Sequence, residues 1–229
     1  MKTLGILGGM GPEATHFFYK KIVQKTPATY DQQHIPTFIY SNTQIPDRGP
    51  CILNNDMDTV VPELQRSAKI IEAAGADVIM MPCNTVHYFI DYIRAAVNIP
   101  VWNMIEETTL WISQKTSLKS IGLLGTTGTA KSMMYHKALE TYGINLLAPN
   151  NKHQDLVMQA IHAVKAGDSS DAISNSLTPV IETLSNEGAK AFILGCTEIP
   201  LLFESSHSYI LIDPMDVMAD KAVQFALDN

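Results

Sequence analysis

The feature that most constrains this chain is a pair of apolar segments that each end in a cysteine. Residues 76–87 read ADVIMMPCNTVH, and residues 189–200 read AKAFILGCTEIP. Uninterrupted apolar runs of this length are typical of parallel strands that are buried on both faces. Ligands of open α/β sheets bind at the carboxyl ends of such strands, so we expect Cys83 and Cys196 to face a ligand.

The two segments belong to an internal repeat. KTLGILGGMGPEA, which starts at Lys2, aligns with KSIGLLGTTGTA, which starts at Lys119, with strand residues and glycines in register. The distance along the chain is 78 positions from Gly5 to Cys83 (83 − 5) and 74 from Gly122 to Cys196 (196 − 122). The repeat predicts two pseudosymmetric α/β domains, each a small, mainly parallel sheet flanked by helices, with an active site in the cleft between them.

Apolar periodicity and turn residues predict the elements and the domain limits. The expected N-terminal lobe comprises residues 1–103 plus 215–229, and the C-terminal lobe comprises residues 104–214. Each repeat is predicted to start with a strand, a glycine turn and a helix, and each contains one cysteine strand. Further strands are predicted at 36–42, 100–104, 145–149 and 209–214, and a long polar loop is predicted at 43–58. Helices are predicted at 60–74, 86–96, 105–114, 130–142, 154–166, 172–186 and 217–227.

Composition excludes several classes of protein. A net charge of −7 over 229 residues, without a basic run, argues against a nucleic-acid partner. No apolar run approaches a membrane span, and the first residues do not resemble a signal peptide, so we expect a cytoplasmic protein that does not bind membranes. Three cysteines without C-x-x-C spacing argue against a disulfide framework and against a zinc site, so we expect no metal.

Two thiols on opposite sides of one carbon suit racemisation. One cysteine would be the thiolate that removes a proton, and the other would be the thiol that returns a proton to the opposite face. Fixed donors must stabilise the carbanion, and the sequence offers Asn84 and Thr85, Thr197, and the turn at 126–129. Arg48 is a planar cation suited to a carboxylate. No lysine has a Schiff-base context, so we expect no cofactor.

Four segments, GILGGMGPEAT, IPDR (45–48), MPCNTVH and LGCTEIPLL, resemble the PLP-independent aspartate/glutamate racemase family over nearly the whole chain. The resemblance implies a two-domain pseudosymmetric fold, an amino-acid substrate, a two-cysteine mechanism without a cofactor, and a homodimer. It implies that Cys83 deprotonates the D-enantiomer and Cys196 the L-enantiomer. The expected substrate-binding residues are Met10, Arg48, Asn84, Thr85, Thr126, Thr127, Thr129, Lys165 and Thr197, with Arg48 and Lys165 near the distal carboxylate, and His87 and Glu198 are expected to tune the cysteines.

Simpler interpretations stay open for several of these residues. Arg48 is also compatible with a solvated loop charge, and Lys165 with a lysine that faces a helix dipole. His87 and Asp91 are spaced as a surface pair on a helix, and Cys51 lacks a partner motif. Two glycine-rich segments match nucleotide-binding motifs only in part. GMGPEA fits a dinucleotide-binding turn but lacks the acidic residue that would bind a ribose, and GTTGTAKS lacks the P-loop glycine before its lysine.

Three alternatives to an aspartate or glutamate racemase are compatible with the sequence. One is a broad-specificity amino-acid racemase, since the sequence does not choose among aspartate, glutamate and wider specificity. Another is a related cysteine enzyme that acts on small acids, such as a maleate isomerase or an arylmalonate decarboxylase. The third, of a different class, is a non-catalytic sensor of small acids.

Overall fold

The computed structural model describes residues 1–203 and 209–228 of the chain. The chain forms two compact units, one of Met1–Glu107 together with Met215–Asn229 and the other of Thr108–Pro214. The boundary between the two lobes is predicted after residue 103, four residues before the boundary after Glu107 in the structure (107 − 103). None of the helices within the described ranges is long and apolar enough to cross a membrane.

The first unit is built on a three-stranded parallel sheet. Its strand order is β2-β1-β3, and Leu4 of the central strand lies opposite Thr37 on one side and Val78 on the other. The elements are β1 Leu4–Gly8, α1 Pro12–Lys25, β2 Thr37–Ser41, α2 Arg48–Asn54, α3 Met57–Ala73, β3 Val78–Met80 and α4 Ile90–Arg94. Helix α5, Met104–Lys115, belongs to this unit up to Glu107, and α11, Pro214–Leu227, belongs to it from Met215 onwards.

Apolar helices cover both faces of the sheet at strands β1 and β3, whereas β2 is partly exposed. On one face α3 contributes Leu64 and Ile71, and on the other α1 and α11 contribute Phe18 and Met218, all of them fully or almost fully buried. A sheet covered on both faces accounts for the uninterrupted apolar runs of β1 and β3.

The second unit has a four-stranded parallel sheet of order β5-β4-β6-β7. Gly125 at the end of β4 lies opposite Gly195 at the end of β6. The elements are β4 Ser120–Gly125, α6 Thr127–Lys131, α7 Met134–Glu140, β5 Asn145–Leu147, α8 Asn151–Lys165, α9 Asp171–Ser176, α10 Thr178–Asn186, β6 Ala191–Gly195 and β7 Ile210–Ile212. Two parallel sheets flanked by helices confirm the predicted two-domain α/β class.

Side-chain caps account for two errors in the predicted elements. The predicted loop at 43–58 contains α2 and the start of α3, because Asp47 and Asp56 accept hydrogen bonds from the first-turn amides of these helices. The predicted strand at 100–104 is reduced to a single bridge between Ile79 and Val101. It ends there because the Asn103 side chain accepts from the Ile105 amide as α5 begins.

Three predicted helices are interrupted. The helix predicted at 130–142 breaks between α6 and α7, where Met133 adopts a left-handed backbone with φ of 58°. The helix predicted at 172–186 divides at Leu177 into α9 and α10, and Pro179 lies in the first turn of the second piece. The helix predicted at 86–96 is a 3-10 turn, Thr85–Phe89, followed by α4.

Candidate active site

The first cysteine follows the end of strand β3. Val78, Ile79 and Met80 are fully buried, and the chain then leaves the sheet through Met81 and Pro82 to reach Cys83. The amide of Cys83 donates to the Met81 carbonyl at 2.8 Å, which turns the chain sharply at this point. Cys83 therefore lies at the carboxyl end of its strand, as the sequence predicts, and only 6% of its surface is exposed.

Asn84 and Thr85 begin the helical turn that follows Cys83. Both side chains are buried, and Thr85–Phe89 continues directly into α4. The amides at the start of a helical turn carry a partial positive charge. The residues predicted to bind the α-groups of a substrate thus lie beside the thiol, at a position suited to negative charge.

His87 fixes the backbone of the first cysteine. Its Nδ1–H donates to the Cys83 carbonyl at 2.8 Å and lies 3.3 Å from the Asn84 carbonyl. The ring is 2% exposed, and burial lowers the pKa of His87 to about 4, so the imidazole is neutral near pH 7. The surface pairing with Asp91 is therefore wrong for this histidine, because Asp91 is exposed while His87 is not.

The glycine turn after β1 brings Met10 close to the end of the sheet. Gly9 has φ of +89°, and a Cβ there would overlap with the backbone of Asn42. The Gly9 amide donates to the Thr15 hydroxyl at 2.9 Å, and this hydroxyl donates to the Gly11 carbonyl at 2.8 Å. The turn is thus held by α1, and Met10 is 4% exposed.

Arg48 is the first residue of α2, and it is buried. Its Nη2 donates to the Met10 carbonyl at 2.9 Å, and its Nη1 donates to the carbonyls of Pro46 at 3.0 Å and Ile45 at 3.4 Å. Nε is buried, and it has no hydrogen-bond partner among residues 1–203 and 209–228. The solvated loop charge is therefore ruled out, and two of the five guanidinium N–H groups remain uncommitted.

The second cysteine follows strand β6 directly. Residues 191–200 are all buried, and Cys196 comes immediately after the last strand residue, Gly195. Its thiol donates to Glu198 Oε2 at 2.9 Å, and the Thr197 hydroxyl donates to the same oxygen at 3.2 Å. A buried carboxyl group is thus shared by the thiol and by its neighbouring hydroxyl.

These surroundings favour the protonated form of Cys196. Burial raises the pKa of the thiol well above its ordinary value, and the negative charge of Glu198 raises the pKa further. Lys165 acts in the opposite direction through its positive charge. Glu198 therefore stabilises the thiol of Cys196 and opposes the thiolate.

The predicted threonines lie in the turn from β4 into α6. The Thr126 side chain caps this helix by accepting from the Thr129 amide at 3.1 Å, and the two hydroxyls lie 3.0 Å apart. The Thr127 amide donates to Met158 Sδ at 3.4 Å. Thr129 is buried, whereas Thr126 and Thr127 are half-buried, so the turn offers accessible polar groups next to the end of β4.

Lys165 is the last residue of α8, and it is exposed. This position agrees with the simpler interpretation, a lysine beside the negative end of a helix dipole. Its positive charge nevertheless acts on Cys196. Lys165 therefore belongs to the electrostatic surroundings of the second cysteine.

Gln154, in the first turns of α8, was missed by the sequence reasoning. It is 8% exposed, and its Nε2 donates to the Gly125 carbonyl at 2.9 Å. A signal was present, because Gln154 shares the apolar face of α8 with Val157 and Ile161 at helical spacing. A polar residue on such a face is buried with a specific partner or purpose.

Each unit thus carries a buried thiol within three residues of the carboxyl end of a buried parallel strand, with polar side chains and the start of a helical turn beside it. Such a set can exchange a proton with a carbon acid and stabilise the negative charge that develops. Among the described residues, no group of three histidine, cysteine or acidic side chains is arranged to hold a metal ion.

Solved structures similar to this chain include two of clear relevance. The aspartate racemase of Picrophilus torridus is 32% identical, with a TM-score of 0.88 over 99% of this chain and 94% of that one. An aspartate racemase homologue from Pyrococcus horikoshii OT3 is 27% identical, with a TM-score of 0.80 over the full length of both chains.

Sequence comparison gives the same result. The broad-specificity amino-acid racemase RacX of Bacillus subtilis (strain 168) is 28% identical over 96% of both chains. The glutamate racemase of Aquifex pyrophilus is 28% identical over 75% of this chain and 65% of its own length. The family model described as Asp/Glu/Hydantoin racemase matches residues 7–222, nearly the whole chain. This protein therefore belongs to the Asp/Glu/Hydantoin racemase family and is an amino-acid racemase.

Proposed function

We propose that this chain racemises an acidic amino acid, aspartate or glutamate, without a cofactor, by moving the α-proton between Cys83 and Cys196. One observation carries the proposal: each half of an internally repeated fold delivers a buried thiol to the same place, just beyond the carboxyl end of a parallel strand. Two equivalent thiols match a reaction that needs one base and one acid of the same kind.

The proposed steps balance in protons and charge. The thiolate of one cysteine takes the α-proton and becomes a thiol, which leaves a carbanion at the α-carbon. The thiol of the other cysteine then protonates the opposite face and becomes the thiolate. The product is the other enantiomer, and the enzyme ends with its two protonation states exchanged.

The surroundings of Cys196 indicate the state in which the cycle starts. Because burial and Glu198 both raise the pKa of Cys196, this residue enters as the thiol. Cys196 is therefore assigned the acid, and Cys83 the base, in the direction that starts from the D-enantiomer in the roles that the family resemblance implies.

Stabilisation of the carbanion is assigned to groups next to the thiols. Asn84, Thr85 and Thr197 adjoin the two cysteines, and the amides at the start of the Thr85 helical turn favour negative charge. The threonine turn at 126–129 supplies further polar groups. These residues bind the α-carboxylate and α-ammonium groups of the substrate.

The acidic side chain of the substrate is assigned to Arg48. Among the described residues its Nε–H has no partner and Nη2 donates to the Met10 carbonyl, so the guanidinium retains donors for a carboxylate. Met10 adjoins this group through its carbonyl. The similarity to an aspartate racemase favours aspartate as the first substrate to test, and Lys165 adds a positive charge near Cys196.

A broad-specificity racemase is the second candidate. It is supported by the match to RacX over 96% of both chains. In this case Arg48 would hold the loop at 45–46 and Met10 in place, without selecting an acidic side chain.

A chiral assay in D₂O tests the proposal. Each proteinogenic L-amino acid and its enantiomer are incubated with the pure enzyme. The enantiomers are then separated by chiral chromatography, and mass spectrometry measures the deuterium at the α-carbon. We expect inversion with deuterium incorporation for aspartate or glutamate, and at most a small fraction of this rate for neutral amino acids. Comparable rates for neutral amino acids would favour the second candidate, and the absence of inversion with every amino acid would refute the proposal.

We also propose that the protein is a cytoplasmic homodimer. The free thiols of the mechanism need a reducing compartment. Strand β2 is an outer strand of its sheet, and Phe38 and Ile39, on its two faces, are each 42% exposed, which suits burial against a second copy. Sedimentation of the wild-type chain and of Ile39→Lys tests this, with a dimer expected for the first and a shift towards monomer for the second. A monomeric wild-type chain would contradict it.

A further inference from the structure

Two buried side chains, one in each unit, play corresponding parts in the internal repeat. Arg48 lies seven residues beyond the end of β2 (48 − 41), and Gln154 lies seven residues beyond the end of β5 (154 − 147). Each of these strands is the outer neighbour of the first strand in its sheet. Arg48 donates to Met10 and Gln154 donates to Gly125, so each side chain fixes the backbone where the first strand turns into its helix.

Each side chain also has one polar atom with no hydrogen-bond partner in the part of the chain that the structure describes. The atoms are Nε of Arg48 and Oε1 of Gln154, and both are buried. Burying a polar atom without a hydrogen bond destabilises the fold, so a buried atom of this kind in a polar site calls for a ligand. The two atoms differ in character, because the first is a donor on a cation and the second is a neutral acceptor.

The Gln154 oxygen is complementary to the α-ammonium group of an amino acid, which offers three donors and no acceptor, whereas the carboxylates of an amino acid need donors. Because Nε2 of Gln154 donates to the Gly125 carbonyl, the side-chain amide cannot flip by 180° without losing this hydrogen bond. The group that Gln154 offers to a ligand is therefore the acceptor Oε1 and not the NH₂ donor.

The position of Gln154 relates it to the reacting part of the substrate. Gly125, which its amide contacts, precedes Thr126 and pairs across the sheet with Gly195. Gly195 directly precedes Cys196. The residue that Gln154 contacts is therefore adjacent in sequence to the threonine turn. It also lies opposite Gly195, the residue before Cys196, on the neighbouring strand.

We propose that Gln154 Oε1 accepts a hydrogen bond from the α-ammonium group of the substrate. Gln154 is then a substrate-binding residue that helps to place the α-carbon beside Cys196, and it selects amino acids over carboxylic acids that lack the amino group. This inference rests on the proposed racemase function.

The test compares two ligands that differ only in the ammonium group. DL-aspartate and succinate carry the same two carboxylates, and the enzyme cannot change the composition of a racemic mixture. Their dissociation constants are measured by calorimetry with the wild-type enzyme and with Gln154→Leu. We expect the variant to bind DL-aspartate about ten- to a hundredfold more weakly and to bind succinate almost unchanged, because a hydrogen bond to a charged group is lost only with the first ligand.

An equal loss of affinity for both ligands would show that Gln154 only holds the turn at Gly125, and an unchanged affinity for DL-aspartate would show that it makes no contact; either result overturns the inference. Gln159→Leu is the matched control, because this glutamine lies on the same helix with an exposed side chain, and we expect it to change neither constant. Where Gln154→Leu fails to fold, Gln154→Glu decides the question. The glutamate keeps an acceptor, so the preference for DL-aspartate over succinate must persist or increase, and its loss overturns the inference.

The outcomes of the two proposals are distinguishable. A wild-type enzyme that inverts glutamate faster than aspartate is tested with DL-glutamate and glutarate. A wild-type enzyme that inverts no amino acid overturns both proposals. An active wild-type enzyme whose ligand preference does not depend on residue 154 overturns this inference alone.

Discussion

Cys196 lies within hydrogen-bond distance of the Glu198 carboxyl group, whereas the fixed neighbour of Cys83 is a neutral histidine that holds its backbone carbonyl. The two thiols therefore occupy equivalent positions in the repeat but differ in their electrostatic surroundings. Their placement near the carboxyl end of a buried strand could be predicted from the sequence, because each cysteine closes an apolar run, although β3 ends three residues before Cys83. The electrostatic difference could not, because it depends on which way the side chains of His87 and Glu198 turn.

Replacement of Glu198 by glutamine should make Cys196 more acidic. The substitution keeps the shape and removes the negative charge that raises the pKa of the thiol, so the pKa should fall while burial still holds it above that of a free cysteine. The measurement is the rate of alkylation of Cys196 by iodoacetamide as a function of pH, followed by peptide mass spectrometry. Cys83 in the same sample is the internal control. A profile for Cys196 that shifts to higher pH, or stays in place, would contradict this assignment.

Replacement of His87 by asparagine should remove a pH dependence of stability. A buried neutral histidine stabilises the fold fully above pH 6.5, and this contribution is lost as the pH falls towards its pKa of about 4 in the folded protein. The difference corresponds to on the order of 3 kcal/mol. Asparagine retains an N–H donor near the position of Nδ1 but does not titrate.

Urea unfolding between pH 4 and pH 7 provides this measurement. The free energy of unfolding of the wild-type protein should fall more steeply towards low pH than that of His87→Asn. Parallel curves would show that His87 is not held neutral by burial.

At the scale of elements, the strands and the glycine turns were the most predictable parts of the chain. The runs that form β1, β3, β4 and β6 are apolar without interruption, since helices cover their sheets on both faces. The helix limits were less predictable. Three helices begin where a side chain accepts a hydrogen bond from a first-turn amide, namely those of Asp47, Asp56 and Asn103. Apolar periodicity does not reveal such caps.

Gly9 should tolerate alanine much less well than Gly75. Both glycines have positive φ, 89° and 98°, so alanine strains the backbone at either position by about 1 kcal/mol. Only at Gly9 would the new Cβ also overlap with the backbone of Asn42, whereas nothing lies within 4 Å at Gly75. We expect Gly9→Ala to lower the free energy of unfolding by roughly 3 kcal/mol and Gly75→Ala by about 1 kcal/mol.

Thermal or urea unfolding of the two variants is sufficient for this comparison. Equal losses would mean that the turn before Met10 has room to move. In that case the close packing of the turn would not be what fixes the Met10 carbonyl against Arg48.

In the molecule as a whole, the two copies of one α/β unit supply the two thiols of the proposed reaction. Each copy contributes a cysteine beyond the carboxyl end of a buried strand, a glycine turn, and a buried side chain that fixes this turn. The repeat and the family could be recognised from the sequence. The corresponding parts of Arg48 and Gln154 could not, because they depend on hydrogen bonds to backbone carbonyls that no motif records.

Both thiols are proposed to act on one α-carbon, and deuterium exchange by variants that lack one of the two cysteines tests this. Cys83→Ala and Cys196→Ala are each incubated with D- and L-aspartate in D₂O, with Cys51→Ala as the control that should retain racemase activity. We predict that neither active-site variant racemises, that Cys196→Ala exchanges the α-proton of the D-enantiomer only, and that Cys83→Ala exchanges that of the L-enantiomer only. Full racemase activity in either variant would contradict the two-thiol mechanism.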